Sequence, residues 1–297
     1  MIAPSNALNF SGGPGALPES VLRQVQQAVI AVPEVGLSVL GISHRSDWFA
    51  AVVTEVEANI RSLLGLGTDY HVLLLQGGAT QQFSMVPMTL LRGKAQAADY
   101  LHTGYWSGKS LPEARREGPI SVVWSGEADG FRRLPGDDEL SFSPDAPYLH
   151  YISNETVEGL QFHRIPGRND VPRICDMSSD FLSRPCEAER FSLIYAHAQK
   201  NIGPAGVTVV VVKDRLLQDN PADSSITGRM FRPTRTSTRR RSSPSMSCCW
   251  SPAGCWPRLA GWKRWPGSIA PRRHCSMTRS MPAKDFIVAE QQWRTVR

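Results

Sequence analysis

Lys200 stands in YAHAQKNIGPAG, between an apolar run with the pattern of a strand and a stretch rich in glycine and proline. Alone, such a lysine is a solvated loop residue. Other apolar runs also end in residues with chemistry to offer. HVLLLQ is followed by GGATQQF, whose Gly77, Gly78, Ala79 and Thr80 present backbone N–H groups at a helix start, a geometry that binds phosphate through unpaired donors and the helix dipole. ADYLHTG is followed by Tyr105 and Trp106, an aromatic pair able to stack on a flat ring. YLHYIS leads to Asn154, Glu155 and Thr156, VPRIC to Asp176, and FSLIYAHA to Gln199 and Lys200. A phosphate cup, a stacking ring, a carboxylate and a lysine are together the parts that hold pyridoxal phosphate. The lysine forms an imine with its aldehyde, and the anionic Asp176 keeps the pyridine nitrogen protonated, so that the ring accepts electrons from a carbanion. Singly each piece is ordinary, since Gly-Gly is usually a turn, a strand-end aspartate a cap and a tryptophan core. Their joint occurrence, in order, carries the reading. His102 and His197 are taken as polar loop residues.

These positions require a scaffold that brings strand ends together. LPESVLRQVQQAVIAV, with Pro18 and Glu19 suited to a first turn, and WFAAVVTEVEANIRSLLGL, ended by a glycine-containing segment, space their apolar residues for one buried helix face. YHVLLLQGG, ISVVWSG, YLHYISN, RICDMSS, FSLIYAHA and GVTVVVVKD predict buried strands, several too apolar for a one-sided sheet. Helices alternating with buried strands imply an α/β domain built on a mainly parallel sheet with helices on both faces. In such a sheet ligand groups gather at the carboxyl ends of the strands.

The 297 residues, 41% apolar, suffice for one large domain and a smaller one. No apolar run reaches the roughly 18 residues of a membrane span, and MIAPSNALNF has no charged segment ahead of an apolar one, so the expectation is a soluble, cytoplasmic protein. Six cysteines show neither a disulfide framework nor a zinc spacing, and no metal site is expected. Charge divides the chain. Residues 1–220 hold 18 Lys+Arg against 24 Asp+Glu, a net of −6, and residues 221–297 hold 15 against 3, a net of +12. The second part also carries five of the eight tryptophans and shows neither helical nor strand periodicity.

The motifs NFSGGPGALPESVL, SVLGISHRS, LLLQGGATQQFSMVPMTLL, ADYLHTGYWSGKS, HYISNETVEGLQF, CDMSSDFLSRP and LIYAHAQKNIGPAGVTVVVVK resemble those of the phosphoserine aminotransferase family, pyridoxal-phosphate enzymes of fold type I. The resemblance covers nearly all of residues 9–213. It implies that Lys200 is the Schiff-base lysine, Asp176 the partner of the pyridine nitrogen and Trp106 the stacking ring. Thr156 and Gln199 become cofactor contacts, and Ala79 with Thr80 the phosphate cup. His44 and Arg45 in ISHRS become ligands of the substrate phosphate, a role in which the arginine fork pairs bidentately. Otherwise SHRSD is a solvated turn. The implied reaction moves an amino group from glutamate to 3-phosphohydroxypyruvate, with a phosphorylated hydroxythreonine precursor as a further substrate, in a symmetric homodimer.

The family would also place an NTPP stretch and a small C-terminal domain after residue 220, and neither is legible there. Residues 221–297 have instead the composition of GC-rich DNA translated in a wrong frame. RRRSSPSMSCCW, back-translated and read one base earlier, yields TPPVFAIYVLLL, which puts a frameshift near residues 219–226. On this reading residues 1–220, including the N-terminal segment 1–18, are the cofactor-binding domain. The small domain is then missing or garbled, and a chain with this tail is weakly active or inactive. Two alternatives stand beside it. RPTRTSTRRRSSPS with nearby tryptophans could act as a nucleic-acid-binding arm, though no module for that accompanies it. A fold-type I desulfurase or lyase is the other, and His44–Arg45 and SNET argue against it.

Overall fold

The structure, a computed structural model, describes residues 9–218. The run Thr208–Lys213, TVVVVK, shows how the sequence sets the architecture. Its four valines are all fully buried, Val209 and Val211 in one apolar cluster and Val210 and Val212 in another, so the strand must be covered on both faces. One cluster takes Val56, Ile60 and Leu64 from the helix Asp47–Leu64, and the other takes Phe83, Val86 and Leu90 from Gly78–Leu90 and Leu111 and Ala114 from Tyr105–Glu117. Helices therefore lie on both faces of the sheet, as the apolar runs required.

In chain order the strands are β1 (Tyr70–Leu75), β2 (Ala98–His102), β3 (Ile120–Ser125), β4 (Leu149–Ile152), β5 (Asn154–Glu155), β6 (Leu160–Gln161), β7 (Arg173–Asp176), β8 (Leu193–His197) and β9 (Thr208–Lys213). The helices are α1 (Glu19–Ile30), α2 (Asp47–Leu64), α3 (Gly78–Leu90), α4 (Tyr105–Glu117) and the short α5 (Asp214–Gln218). The seven-stranded sheet has the order β1-β9-β8-β7-β4-β2-β3, and β5 and β6 form a separate antiparallel pair. Neighbours from β8 to β3 are parallel, while β9 is antiparallel to both β8 and β1. Being antiparallel twice over, β9 leaves β1 running with the parallel set. The carboxyl ends of β1, β2, β4, β7 and β8 thus share one edge, where residues 76–80, 103–107, 153–156, 177–180 and 198–200 must emerge.

The helices begin and end by local chemistry. Ser46 caps α2, its Oγ accepting from Phe49 N at 3.2 Å, and Gly65 closes it in the left-handed region at φ 62°, where a side chain would be strained. Pro18 precedes α1 at φ −57° and Glu19 lies in its first turn. Interior α4 carries Gly108 and Pro112, unfavourable in isolation, and is held instead by carboxylates that reach its N-terminus from another segment. The frameshifted tail expected over residues 221–297 lies outside the described residues.

Ile60 is fully buried where α2 meets the sheet. Ile60→Ala should lower stability by about 2–4 kcal/mol through lost burial and the cavity left behind. Urea unfolding would show this as a lower midpoint with an unchanged slope.

Candidate active site

Lys200 follows the end of β8 by three residues, and its Nζ is surrounded by hydroxyls and carboxylates. It donates to Thr156 Oγ1 and, at 2.7 Å, to Ser179 Oγ, while those two hydroxyls are themselves 2.7 Å apart. Burial pushes the Lys200 amine down to about 8, with Asp176, Asp180 and Glu155 pulling back toward the charged form. At that value a substantial fraction is neutral, and therefore nucleophilic and basic, near physiological pH.

Asp176 ends β7 and is buried to 3% exposure. Its Oδ1 accepts from Ser178 N at 2.8 Å. Burial raises its carboxyl to about 6, the Ser178 hydrogen bonds oppose this, and the nearby Glu155 and Asp180 add to it. At Asp176, burial and the neighbouring carboxylates govern, whereas at Lys200 the pull of Asp176 only partly offsets burial. The carboxylate is ionised above about pH 6, as needed to hold a proton on a ring nitrogen.

Glu155, in the SNET segment, is 1% exposed and joins two elements. It accepts from Trp106 N at 3.0 Å and from Ser107 N at 2.9 Å in the first turn of α4, and from Thr103 Oγ1 at 3.2 Å. Glu158 accepts from Tyr105 N at 2.9 Å. The carboxylates satisfy N–H groups that a helix start leaves open and fix the backbone of Trp106 beside Thr156. The indole is half-buried and meets Tyr105 edge-on, with centroids 5.0 Å apart.

The candidate phosphate cup, residues 77–80, lies where β1 hands over to α3. Gly77 and Gly78 have φ of 98° and 70°, values that favour glycine, and turn the first N–H groups of Gly78, Ala79 and Thr80 outward along the helix axis. A Cβ on Gly78 would lie 3.7 Å from His197 Nδ1, which places the cup against the end of β8. His197 is therefore a half-buried strand residue at the cup, not the loop residue expected from sequence, because β8 extends to it. His102 likewise closes β2, with Nδ1 3.0 Å from Ser125 Oγ. A third segment crosses the lysine. Gly15 N donates to Gln199 O at 2.8 Å, and a Cβ on Gly15 would come within 3.1 Å of Lys200 O, one on Gly13 within 3.3 Å of Lys200 Cε.

The fold thus assembles Lys200, Asp176, Thr156, Gln199, Trp106, Ala79 and Thr80 at one sheet edge. His44 and Arg45 are exposed in the turn before α2, where Arg45 N donates to Ser43 Oγ at 3.1 Å. Sequence reasoning missed Ser179, which DMSSD contained, and gave Glu155 no role although it stood at a strand end. The backbone approach of Gly13 and Gly15 had no local signal beyond the glycine-rich GGPG.

Pyridoxal phosphate fits these residues. The site offers open helix N–H groups for the phosphate, a buried carboxylate and an amine, and it holds buried polar atoms without a hydrogen-bond partner among the described residues, Gln199 Oε1 and His197 Nδ1.

The chain belongs to the class-V aminotransferase family, whose model matches residues 7–247. Within that class its relatives are phosphoserine aminotransferases. The one from Laribacter hongkongensis is 52% identical over 209 residues, which is 70% of this chain and 58% of the relative. That from Azotobacter vinelandii is 51% identical over 211 residues, again covering 58% of the relative. The chain therefore spans under two thirds of the length of these curated relatives. Among solved structures, the phosphoserine aminotransferase of Bacillus circulans subsp. alkalophilus superposes with a TM-score of 0.75 at 40% identity, covering 86% of this chain and 69% of that one. The Trichomonas vaginalis enzyme, solved with pyridoxal phosphate bound, gives 0.68 at 35% identity, covering 75% and 66%.

Burial of Asp176 predicts a stability cost. The folded chain keeps this proton to about pH 6, whereas an ordinary aspartyl group releases it near 3.8, so between those values the folded state binds more protons. The contribution of Asp176 is then most favourable below about pH 4 and falls as pH rises to 6. Without cofactor, Asp176→Asn should raise stability at pH 7 by about 1–2 kcal/mol and flatten the change between pH 4 and 6, read by urea unfolding at both values.

Proposed function

We propose that this site is a phosphoserine transaminase site, transferring an amino group from glutamate to 3-phosphohydroxypyruvate to give O-phosphoserine and 2-oxoglutarate, and accepting a phosphorylated hydroxythreonine precursor as well. The observation that carries the reading is the Lys200 amine, held by Thr156 and Ser179 beside the buried Asp176 at the edge where α3 opens its N-terminus. The names of the relatives support the substrate class.

Pyridoxal phosphate, when bound, supplies an aldehyde carbon and a ring that accepts an electron pair. The N–H groups of Ala79 and Thr80 bind its phosphate. Asp176 would hold a proton at the ring nitrogen, Thr156 and Gln199 would orient the ring, and Trp106 would stack on it and keep water away. With the cofactor bound, Lys200 Nζ would accept the proton lost from the substrate Cα and give it back, which an amine lowered to about 8 can do in both directions. His44 and Arg45 bind the substrate phosphate. They stand exposed in the turn before α2, and the role we propose for them is in a homodimer in which that turn serves a neighbouring site. The chain works in the cytoplasm. Among the described residues no helix is long and apolar enough to cross a membrane.

The charge division at residue 220 favours a second reading, in which residues 221–297 arise from a frameshift and the chain as written is weakly active or inactive. One assay addresses both. The 297-residue chain and a chain with the reading frame shifted back near residues 219–226 are loaded with pyridoxal phosphate, and phosphoserine formation from glutamate is followed. The restored chain should be active, and Lys200→Ala in it should lower kcat by about 10³-fold or more. The chain as written should show little turnover. Full activity of the 297-residue chain contradicts the frameshift reading, and an undiminished Lys200→Ala variant contradicts the site.

A further inference from the structure

The three hydrogen bonds around Lys200 form a closed triangle of Nζ, Thr156 Oγ1 and Ser179 Oγ. Thr156 is the member with a second claim on it, since the proposed function turns its hydroxyl to the cofactor ring. Ser179 has no such claim. It lies three residues beyond Asp176 in the turn after β7, half-buried, and the rest of that turn is pinned. Asp180 N donates to Met177 O at 3.2 Å, Gln161 Nε2 donates to Asp180 Oδ2 at 2.9 Å, and Ser153 Oγ donates to Asp180 Oδ1. Met177 N donates to Tyr195 O at 2.8 Å, tying the same turn to β8, the strand that leads to Lys200. The turn is thus fastened on both sides of Ser179, whose hydroxyl stands 2.7 Å from the amine.

A hydroxyl suits this position because it both accepts and donates. It accepts from the ammonium form of Lys200, and by rotating its hydrogen it donates to the lone pair of the neutral amine. A carboxylate could do only the first and would hold the lysine charged. We propose that Ser179 is a positioning residue for Lys200, holding the amine at the centre of the site in both protonation states while Thr156 is engaged with the cofactor. This rests on Lys200 being the cofactor lysine.

The groups facing Nζ are Thr156 and Ser179 by hydrogen bond, and Asp176, Asp180 and Glu155 by charge. Losing a hydroxyl acceptor costs the ammonium form more than the neutral one, because charge-assisted hydrogen bonds are the stronger. In Ser179→Ala the titration midpoint of Lys200 should therefore fall by about 0.7 of a pH unit, which is about a fivefold rise in neutral amine at a fixed lower pH. The test is competitive acetylation of the full chain without cofactor across pH 6–10, with peptide mass spectrometry reporting Lys200 against Lys94 and Lys213 in the same sample. Ser179→Thr, which keeps the hydroxyl, should restore the wild-type profile, and Ser179→Cys, close in volume but a poor acceptor, should behave like the alanine variant and replaces it if that variant fails to fold. A Lys200 profile unchanged in the folded alanine or cysteine variant overturns the proposal, as does a threonine variant that shifts equally. Since no cofactor is present, either failure leaves the cofactor role of Lys200 standing; that role fails separately if Lys200→Ala binds pyridoxal phosphate with an unchanged visible absorption band.

Discussion

Removing an amine and a carboxylate from water disfavours both charges, and the arrangement of this domain answers that cost at one sheet edge. Lys200 is lowered to about 8 and Asp176 raised to about 6 by the same desolvation. Neither is abandoned there. Asp176 receives a backbone N–H, Lys200 is ringed by hydroxyls, and three carboxylates keep the local field negative. Positions that serve a buried site in this way cost stability and are kept for what they can do.

The sheet topology makes that concentration possible. With β9 reversed against both neighbours, β1 keeps the direction of the parallel strands, and the turn that opens α3 meets the end of β8. The acidic side chains of SNETVE then do a second task. Glu155 and Glu158 satisfy the N-terminal N–H groups of α4, a helix whose glycine and proline would make it weak in isolation, and so place Trp106. Trp106 is positioned by a carboxylate some fifty residues away in sequence, through its backbone rather than its side chain.

Much of this was legible in the residues. Valine-rich runs such as TVVVVK announce strands covered on both sides, and Lys200, Asp176, Thr156, Gln199, Trp106 and the Gly77–Thr80 turn all follow strand-like runs in the sequence. What the chain did not reveal depends on long-range contacts. The reversal of β9 has no signature in its own composition, the placement of His197 at the cup needed the register of β8, and the role of Ser179 needed the turn that folds it back over Lys200. His44 and Arg45 show the limit from the other side. Their assignment rests on resemblance, and in this chain they stand exposed in a turn of their own.

Burial lowers the Lys200 amine, and the proposed function makes it the lysine that pyridoxal phosphate modifies. The most direct test is to load the purified chain with pyridoxal phosphate at pH 8, reduce with borohydride and map the modified lysine by peptide mass spectrometry. Modification confined to Lys200, and abolished by excess phosphate competing at the α3 N-terminus, is the predicted result. Modification spread over Lys94, Lys109 and Lys213, or absent from Lys200, would contradict it.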